Sequence, residues 1–379
     1  MDQDIVTQVI QLQHPTAAPE LSYYFEQVAL QTKDVKSKNK SRFNFNMTAQ
    51  QIDEQRQRAN FLLTIPTAPQ GTDAWFEFRK GKKNKDGIYV GGKITASDTG
   101  TILGLNPYGT MEDVIVKKNG IDTFDGGSAA CTHGCKYEEV TIAIYEYRNN
   151  IKVREYGCIE DDDDDWIGAS PDGIDELGRA IEIKNPSRRE IKGYPKIYYY
   201  AQIQQQLKVL KLELCKFIET EIIEYDNVND FNNDHPVGQT EAPWTKEGKH
   251  KGVLIELVTK DLKNKYIYAP IILGKTAASD WVNSQLDKLD YEMYESVLVK
   301  YWYCKTYNVI DVYRDRLWWD KHYPILKDFW FNHVLKARKD PEYFYEVNKK
   351  RIESKLLNKK SYKIKINNDK NLLFSDDED

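Results

Sequence analysis

Residues 166–184, WIGASPDGIDELGRAIEIK, constrain this chain more than any other stretch. A short apolar run from Trp166 to Ala169 stops at Ser170-Pro171-Asp172-Gly173, where proline fixes one turn dihedral and glycine permits positive φ. A second turn at Glu176-Leu177-Gly178 leads into Ala180-Ile181-Glu182-Ile183-Lys184, which alternates apolar and charged residues. That alternation predicts a strand with Glu182 and Lys184 on one face and Ile181 and Ile183 on the other. If the two apolar runs pair, Asp172 lies near Glu182 and Lys184. Converging carboxylates repel unless a cation sits between them, and hard oxygen donors suit Mg²⁺ or Mn²⁺. An ammonium beside them can polarise or deprotonate a metal-bound water, so Asp-x9-Glu-x-Lys suits metal-dependent phosphodiester hydrolysis. A solvated hairpin with a surface Glu–Lys pair has the same spacing.

The 379 residues can fill one large core or two modest domains. No run of about eighteen uninterrupted apolar residues occurs, so no membrane span is expected. The acidic start, Met1-Asp2-Gln3-Asp4, is unlike a secretory signal, and five cysteines give no disulfide framework. The expected location is intracellular and cytoplasmic, in a host cell or virion for a viral protein, with the nucleus left open. A net charge of -5 does not advertise a nucleic-acid binder. The acids, however, concentrate in 160–165 and in the tail 375–379, both read as solvated runs, so a basic surface elsewhere is compatible with the total.

Along the chain, 1–70 reads as an extension. Its basic stretch 33–42 is a linker or, alternatively, a nuclear-targeting or DNA-contacting arm, and a helix over 47–63 ends before Pro66. A short helix is expected over 73–79. Another opens at Thr95-Ala96-Ser97-Asp98, with Ser97 a natural cap, and ends at 104–108. The next covers 134–149, with Glu138 and Glu139 in its first turn, where acids compensate the helix dipole. Cys131, His133 and Cys135 lack the fourth ligand of a tetrahedral site, so neither zinc nor an iron–sulfur cluster is expected. Residues 196–212 form an amphipathic helix with Ile203, Leu207 and Leu210 inward. Tyr198, Gln202 and Gln206 fall on another face, the glutamines as plain surface residues on the bland reading. Strands follow at 214–223 and 252–259. From Thr276 the pattern reads as helical to the end. Aromatics between Tyr291 and Phe331 fill a core between helices, with base stacking as the alternative. Lys-rich 336–365 is either a solvated helix face or a track for a DNA backbone.

Five short blocks occur in order: 75–79 (WFEFR), 94–98 (ITASD), 134–138 (GCKYE), 170–173 (SPDG) with 182–184 (EIK), and 200–204 (YAQIQ). Together they resemble the lambda exonuclease / YqaJ-like viral recombinase family of the PD-(D/E)xK nuclease superfamily, over roughly 72–225. The resemblance implies an α/β (α+β) fold: a restriction-endonuclease-like core at 71–275, with a mixed central sheet flanked by helices. Around it stand the extension 1–70 and a C-terminal helical region, 276–379, with an acidic tail. It implies a Mg²⁺-dependent 5′→3′ exonuclease on linear double-stranded DNA, with Mn²⁺ substituting, in viral-type recombination, end processing or replication. Asp172, Glu182 and the backbone carbonyl of Ile183 would hold metal. Glu138 would complete a second metal position, with Glu139 its runner-up. Lys184 would activate the attacking water, and Gln202 would orient that water or the scissile phosphate. Arg79 and Ser97 would grip the terminal 5′ phosphate. Implied partners are double-stranded DNA ends, a single-strand annealing protein, and further copies of the chain in a ring. Two rivals remain: an endonuclease of the same superfamily, and a catalytically silent DNA-binding protein. An endonuclease needs no terminal-phosphate pocket, and a silent binder needs no repelling carboxylates.

Overall fold

The computed structural model describes residues 47–121 and 129–356. The linker 33–42, the tail 375–379 and the Lys-rich segment beyond 356 lie outside the described residues. A seven-stranded mixed sheet forms the centre. Its strands are β1 (Val153–Arg154), β2 (Gly173–Asp175), β3 (Ala180–Lys184), β4 (Leu214–Glu224), β5 (Lys251–Thr259), β6 (Asn264–Tyr268) and β7 (Tyr294–Tyr313). They lie side by side in the order β6-β5-β7-β4-β3-β2-β1. β3 and β4 are the parallel pair, and the other neighbours run antiparallel. With helices on both faces, this is the mixed central sheet flanked by helices expected from the sequence.

The helices that bear on the site are α1 (Ala49–Leu62), α2 (Asp73–Lys80), α3 (Ala96–Ile102), α4 (Met111–Lys118), α5 (Ala129–Asn149) and α6 (Ile197–Leu210). A parallel strand pair needs a crossover, and α6 supplies it between β3 and β4. Side chains alternate across β3. Ile181 and Ile183 therefore pack with Tyr145 of α5 and Ile218 of β4, while Glu182 bonds to α6. α1 starts with a capping box between Thr48 and Gln51 and places Ala59 and Leu62 in the main core. Part of the 1–70 extension thus belongs to the packed body. Among the described residues no helix is long and apolar enough to cross a membrane.

Several expectations need correcting. The run at 166–169 does not pair with β3. Ile167–Ala169 instead joins a small sheet between Ile94–Thr95 and Ile159–Glu160. β2, just after the Ser-Pro-Asp-Gly turn, is the hairpin partner of β3, with Gly173 opposite Ile181. The C-terminal part is not uniformly helical, because β7 runs for twenty residues through the central sheet. Both faces of β7 are covered: Tyr301 and Val299 pack on the Val253 cluster, and Trp302 and Cys304 on the Tyr137 cluster. Burial on both sides erases the polar alternation that marks a half-exposed strand. Later aromatics do form core, with Trp318, Trp319, Phe329 and Trp330 buried. In the final helix, 341–356, Lys350 pairs with Glu112 at 2.7 Å, and Arg351 and Lys355 pair with Asp113 at 2.8 and 2.9 Å.

The acidic run 160–165 is solvated only in part, with Asp161 buried. The buried carboxylate of Asp161 meets Lys208 of α6 at 2.9 Å and accepts from the backbone of Asp163 and Asp164. Glu160 bonds to Lys93, and Asp162 pairs with Arg58 at 3.1 Å and with Lys211 at 2.9 Å. Asp164 accepts from Trp166 at 3.0 Å and from Tyr323 at 2.9 Å. The run is a clasp between α1, α6 and the C-terminal helices. Removing one partner strands the other charge where water reaches it poorly. Asp161→Ala is expected to cost about 3 kcal/mol of stability, to be read as a shift of the urea midpoint. A loss below about 0.5 kcal/mol, typical of surface pairs, would refute the clasp.

Candidate active site

The hairpin of β2 and β3 builds the centre of the site. With Gly173 opposite Ile181, Asp172 stands opposite Glu182. The Asp172 N–H donates to the Ile181 carbonyl at 3.1 Å, and its carboxylate accepts from the Ile183 N–H at 2.6 Å. Glu182 is fully buried. Its Oε1 accepts from Lys184 and, at 2.7 Å, from Gln202 Nε2, while its Oε2 accepts from Gln206 Nε2 at 2.6 Å. A buried carboxylate survives only when its lone pairs are satisfied, and here three side chains do this. Lys184 also lies over the Tyr199 ring, 5.2 Å from its centroid.

The electrostatics are those of a crowded acidic site. Burial, then Glu182, then Glu138 push the Asp172 carboxyl well above the usual carboxylate range, against the opposing pull of Lys184. Burial pushes Glu138 up to about 7, helped by Glu182 and opposed by Lys184. Burial would lower the Lys184 ammonium, but Glu182 and Asp172 outweigh it and hold it above the ordinary lysine range. Two facing carboxylates, of which Asp172 is held well above its usual range, are a donor set that a hard divalent cation would relieve. Asp172 and Glu182 supply that pair. Among the described residues no three His, Cys, Asp or Glu side chains close around one point, so Glu138 faces the pair without joining it. α5 starts at Ala129, which places Glu138 and its exposed neighbour Glu139 in mid-helix, beyond the reach of helix-dipole compensation. Cys131 and Cys135 are exposed on the same helix, and His133 lies against Tyr137 with ring centroids 4.8 Å apart.

Three consecutive glutamines of α6 are buried, not solvated, and each has a separate task. Gln204 donates to the Tyr313 carbonyl at 2.9 Å and accepts from the Asp315 N–H at 2.7 Å, fixing the end of β7. Gln205 donates to the carbonyls of Ile94 and Gly168 at 2.9 and 3.0 Å, tying α6 to the small sheet. Gln206 holds Glu182, and its own Oε1 is buried without a protein partner among the described residues. Gln206 is the site residue that the sequence reading missed. It lies one turn beyond Gln202 on the same face, and that spacing was the available signal.

The first two blocks meet on a second patch. Thr95, not Ser97, caps α3: its hydroxyl and N–H bond Asp98 at 2.6 and 3.0 Å. Ser97 is thereby left exposed in the first turn, where its hydroxyl lies 3.4 Å from Arg79 Nη2. Buried Asp98 also pairs with Lys118 at 2.7 Å and Lys117 at 3.2 Å. Arg79 stacks on Trp75, 3.9 Å from the ring centroid, and its Nε is buried without a protein partner among the described residues. Burial lowers the Arg79 guanidinium, although Asp98 opposes the shift. Trp75 donates to Ser170 Oγ at 3.2 Å, two residues before Asp172, which links this patch to the hairpin. The intervening stretch 80–93 contains a small hairpin, Lys82–Lys83 with Tyr89–Val90. An incompletely satisfied guanidinium beside an exposed hydroxyl favours an anion.

Residues 74–213 match the sequence model of the YqaJ-like viral recombinase domain. An uncharacterised protein of Acanthamoeba polyphaga mimivirus, R354, is 28% identical over 312 residues, covering 72% of this chain and 54% of that protein. The chain thus spans about half the length of the curated relative it matches. An alkaline exonuclease from Laribacter hongkongensis is 19% identical, with a TM-score of 0.39 over 75% of this chain and 100% of that one. A phage-related exonuclease from Haemophilus somnus 129PT is 12% identical, with a TM-score of 0.32 over 68% of this chain and 96% of that one.

Proposed function

We propose, from the match of residues 74–213 to the YqaJ-like viral recombinase domain model, that the chain is a DNA nuclease, specifically a Mg²⁺-dependent 5′→3′ exonuclease on linear duplex DNA. The observation that carries this reading is the hairpin register that sets Asp172 against Glu182, with Lys184 and Gln202 bonded to the same Glu182 oxygen. Asp172, Glu182 and the Ile183 carbonyl would hold the metal, with Mn²⁺ as a substitute and Glu138 drawn in for a second ion. Bound there, the ion would supply Lewis-acid chemistry at a phosphodiester. The chain's own part is to fix Glu182 through Gln202 and Gln206 and to present the Lys184 ammonium to developing negative charge. Viral-type recombination, end processing or replication is the setting that fits such an activity. A single-strand annealing protein is the partner that fits it, and a ring of subunits around DNA is a compatible assembly.

Contact between Arg79 and Ser97 favours an exonuclease over an endonuclease. A terminal phosphate carries more charge than an internal diester, and one charge-assisted hydrogen bond is worth about 1.5–3 kcal/mol. Cleavage of 5′-phosphorylated duplex should therefore exceed that of 5′-hydroxyl duplex by roughly ten- to a hundredfold. Covalently closed circles should stay intact, and chelator should stop the reaction. Arg79→Ala should slow the phosphorylated substrate and narrow the gap. Initial rates on matched linear duplexes and closed circles test this directly. Equal rates on both ends, or rapid cutting of circles, would favour an endonuclease instead.

A further inference from the structure

Resting on that reading of the site, we propose that Tyr199, Tyr198 and Tyr108 form a stacking track for an unpaired nucleobase of the strand whose backbone lies at Lys184. The track starts inside the site. Tyr199 lies beneath Lys184 and is backed by Phe217 at 5.8 Å, the β4 residue in register with Glu182. Tyr198 follows, its ring 4.4 Å from Tyr199, and meets Tyr108 edge-on at 6.3 Å. Tyr108 is 79% exposed, too open for a core role.

The track is held rigidly. A Cβ on Gly100 of α3 would come within 2.7 Å of the Tyr198 Cβ, so glycine is what allows α3 to seat against that tyrosine. Asn106 accepts from the Tyr108 N–H at 3.1 Å and donates to Thr101 at 2.9 Å, which fixes the loop that presents the exposed ring. Cations flank the rings: Arg189 lies 5.7 Å from the Tyr199 centroid and Lys196 lies 5.8 Å from that of Tyr198. With Lys184 they form an alternation of flat rings and positive charges, which matches a strand of bases and phosphates. A greasy protein segment would use the rings but not Lys196, since Lys184 and Arg189 already pair with Glu182 and Glu219. Duplex DNA exposes base faces only at its ends, so the ligand is a terminal or unpaired base.

The test is binding of a fluorescent twelve-nucleotide single strand by the full chain in Ca²⁺, followed by anisotropy. Tyr108→Ala should weaken binding about tenfold, the scale of one base–aromatic stack. Tyr108→Phe and Tyr108→Trp should stay near wild type. An oligonucleotide with abasic residues should bind the wild type about tenfold more weakly than its parent, and Tyr108→Ala should barely distinguish the two. Unchanged binding by Tyr108→Ala, or equal loss on parent and abasic strands, overturns the track while leaving the nuclease reading intact. A wild type that neither binds nor cuts DNA overturns both. Because Tyr108 is exposed, an unaltered circular dichroism spectrum is expected for each variant, so a binding change reports on the ring itself.

Discussion

Asp172→Asn is expected to lower the cleavage rate about a thousandfold, roughly 4 kcal/mol of transition-state stabilisation, while raising the thermal midpoint measured in chelator. Both effects follow from one cause. Burial and the neighbouring Glu182 and Glu138 hold the Asp172 carboxyl well above its ordinary range, so the folded chain carries that charge at a cost. An acid whose folded pKa is raised binds its proton more tightly in the native state than in the unfolded one. Stability therefore falls as pH rises between the two values, and a neutral amide escapes the penalty. Asparagine keeps an oxygen that can accept from the Ile183 N–H, now at 2.6 Å, so the hairpin need not open. Adding Mg²⁺ should raise the wild-type midpoint, because an ion that binds only the folded state stabilises it by mass action. The gain should be smaller in Asp172→Asn. Turnover near the wild-type value would remove Asp172 from the machinery. A lowered midpoint in chelator would mean that the carboxylate is already satisfied by protein groups alone.

The site was legible in the sequence wherever short-range rules decide the outcome. Period-two alternation assigned Glu182 and Ile181 to opposite faces, and the structure keeps them there. Helix periodicity put Ile203, Leu207 and Leu210 in the core, and all three are buried. What was not legible depends on partners far along the chain. Gln206 looks like a surface residue until a buried carboxylate, supplied by another element, is brought to it. The acids at 160–165 look solvated until Lys93, Arg58, Lys208 and Lys211 arrive from more than forty residues away in sequence. β7 was hidden because helices and strands cover both of its faces, leaving no polar rhythm to read. The Thr95 cap was ambiguous because Ser97, two residues later, is an equally good capping residue type; the Asp98 bond to the Thr95 N–H decides between them.

Lys184→Ala should lower turnover by a hundredfold or more, within the range typical of a positioned proton-transfer or charge-stabilising group, with DNA affinity changed only a few-fold. The sequence left two tasks open for this lysine: polarising a water or taking its proton. The structure favours the first. Glu182 and Asp172 hold Lys184 above the ordinary lysine range, so it stays an ammonium throughout neutral pH and has no free lone pair. Its positive charge is also what makes the buried pair of acids tolerable. Lys184→Arg keeps a charge but should not restore activity, because a planar guanidinium does not reproduce a compact ammonium seated between the Glu182 carboxylate and the Tyr199 ring. Metal binding should survive in Lys184→Ala, since Gln202 and Gln206 still hold both oxygens of Glu182. Calorimetric titration with Mg²⁺ and single-turnover cleavage together separate the cases. Lost Mg²⁺ binding would show that the ammonium organises the carboxylates rather than serving the chemistry. Full activity in Lys184→Arg would show that charge alone suffices, and the argument from shape would fall.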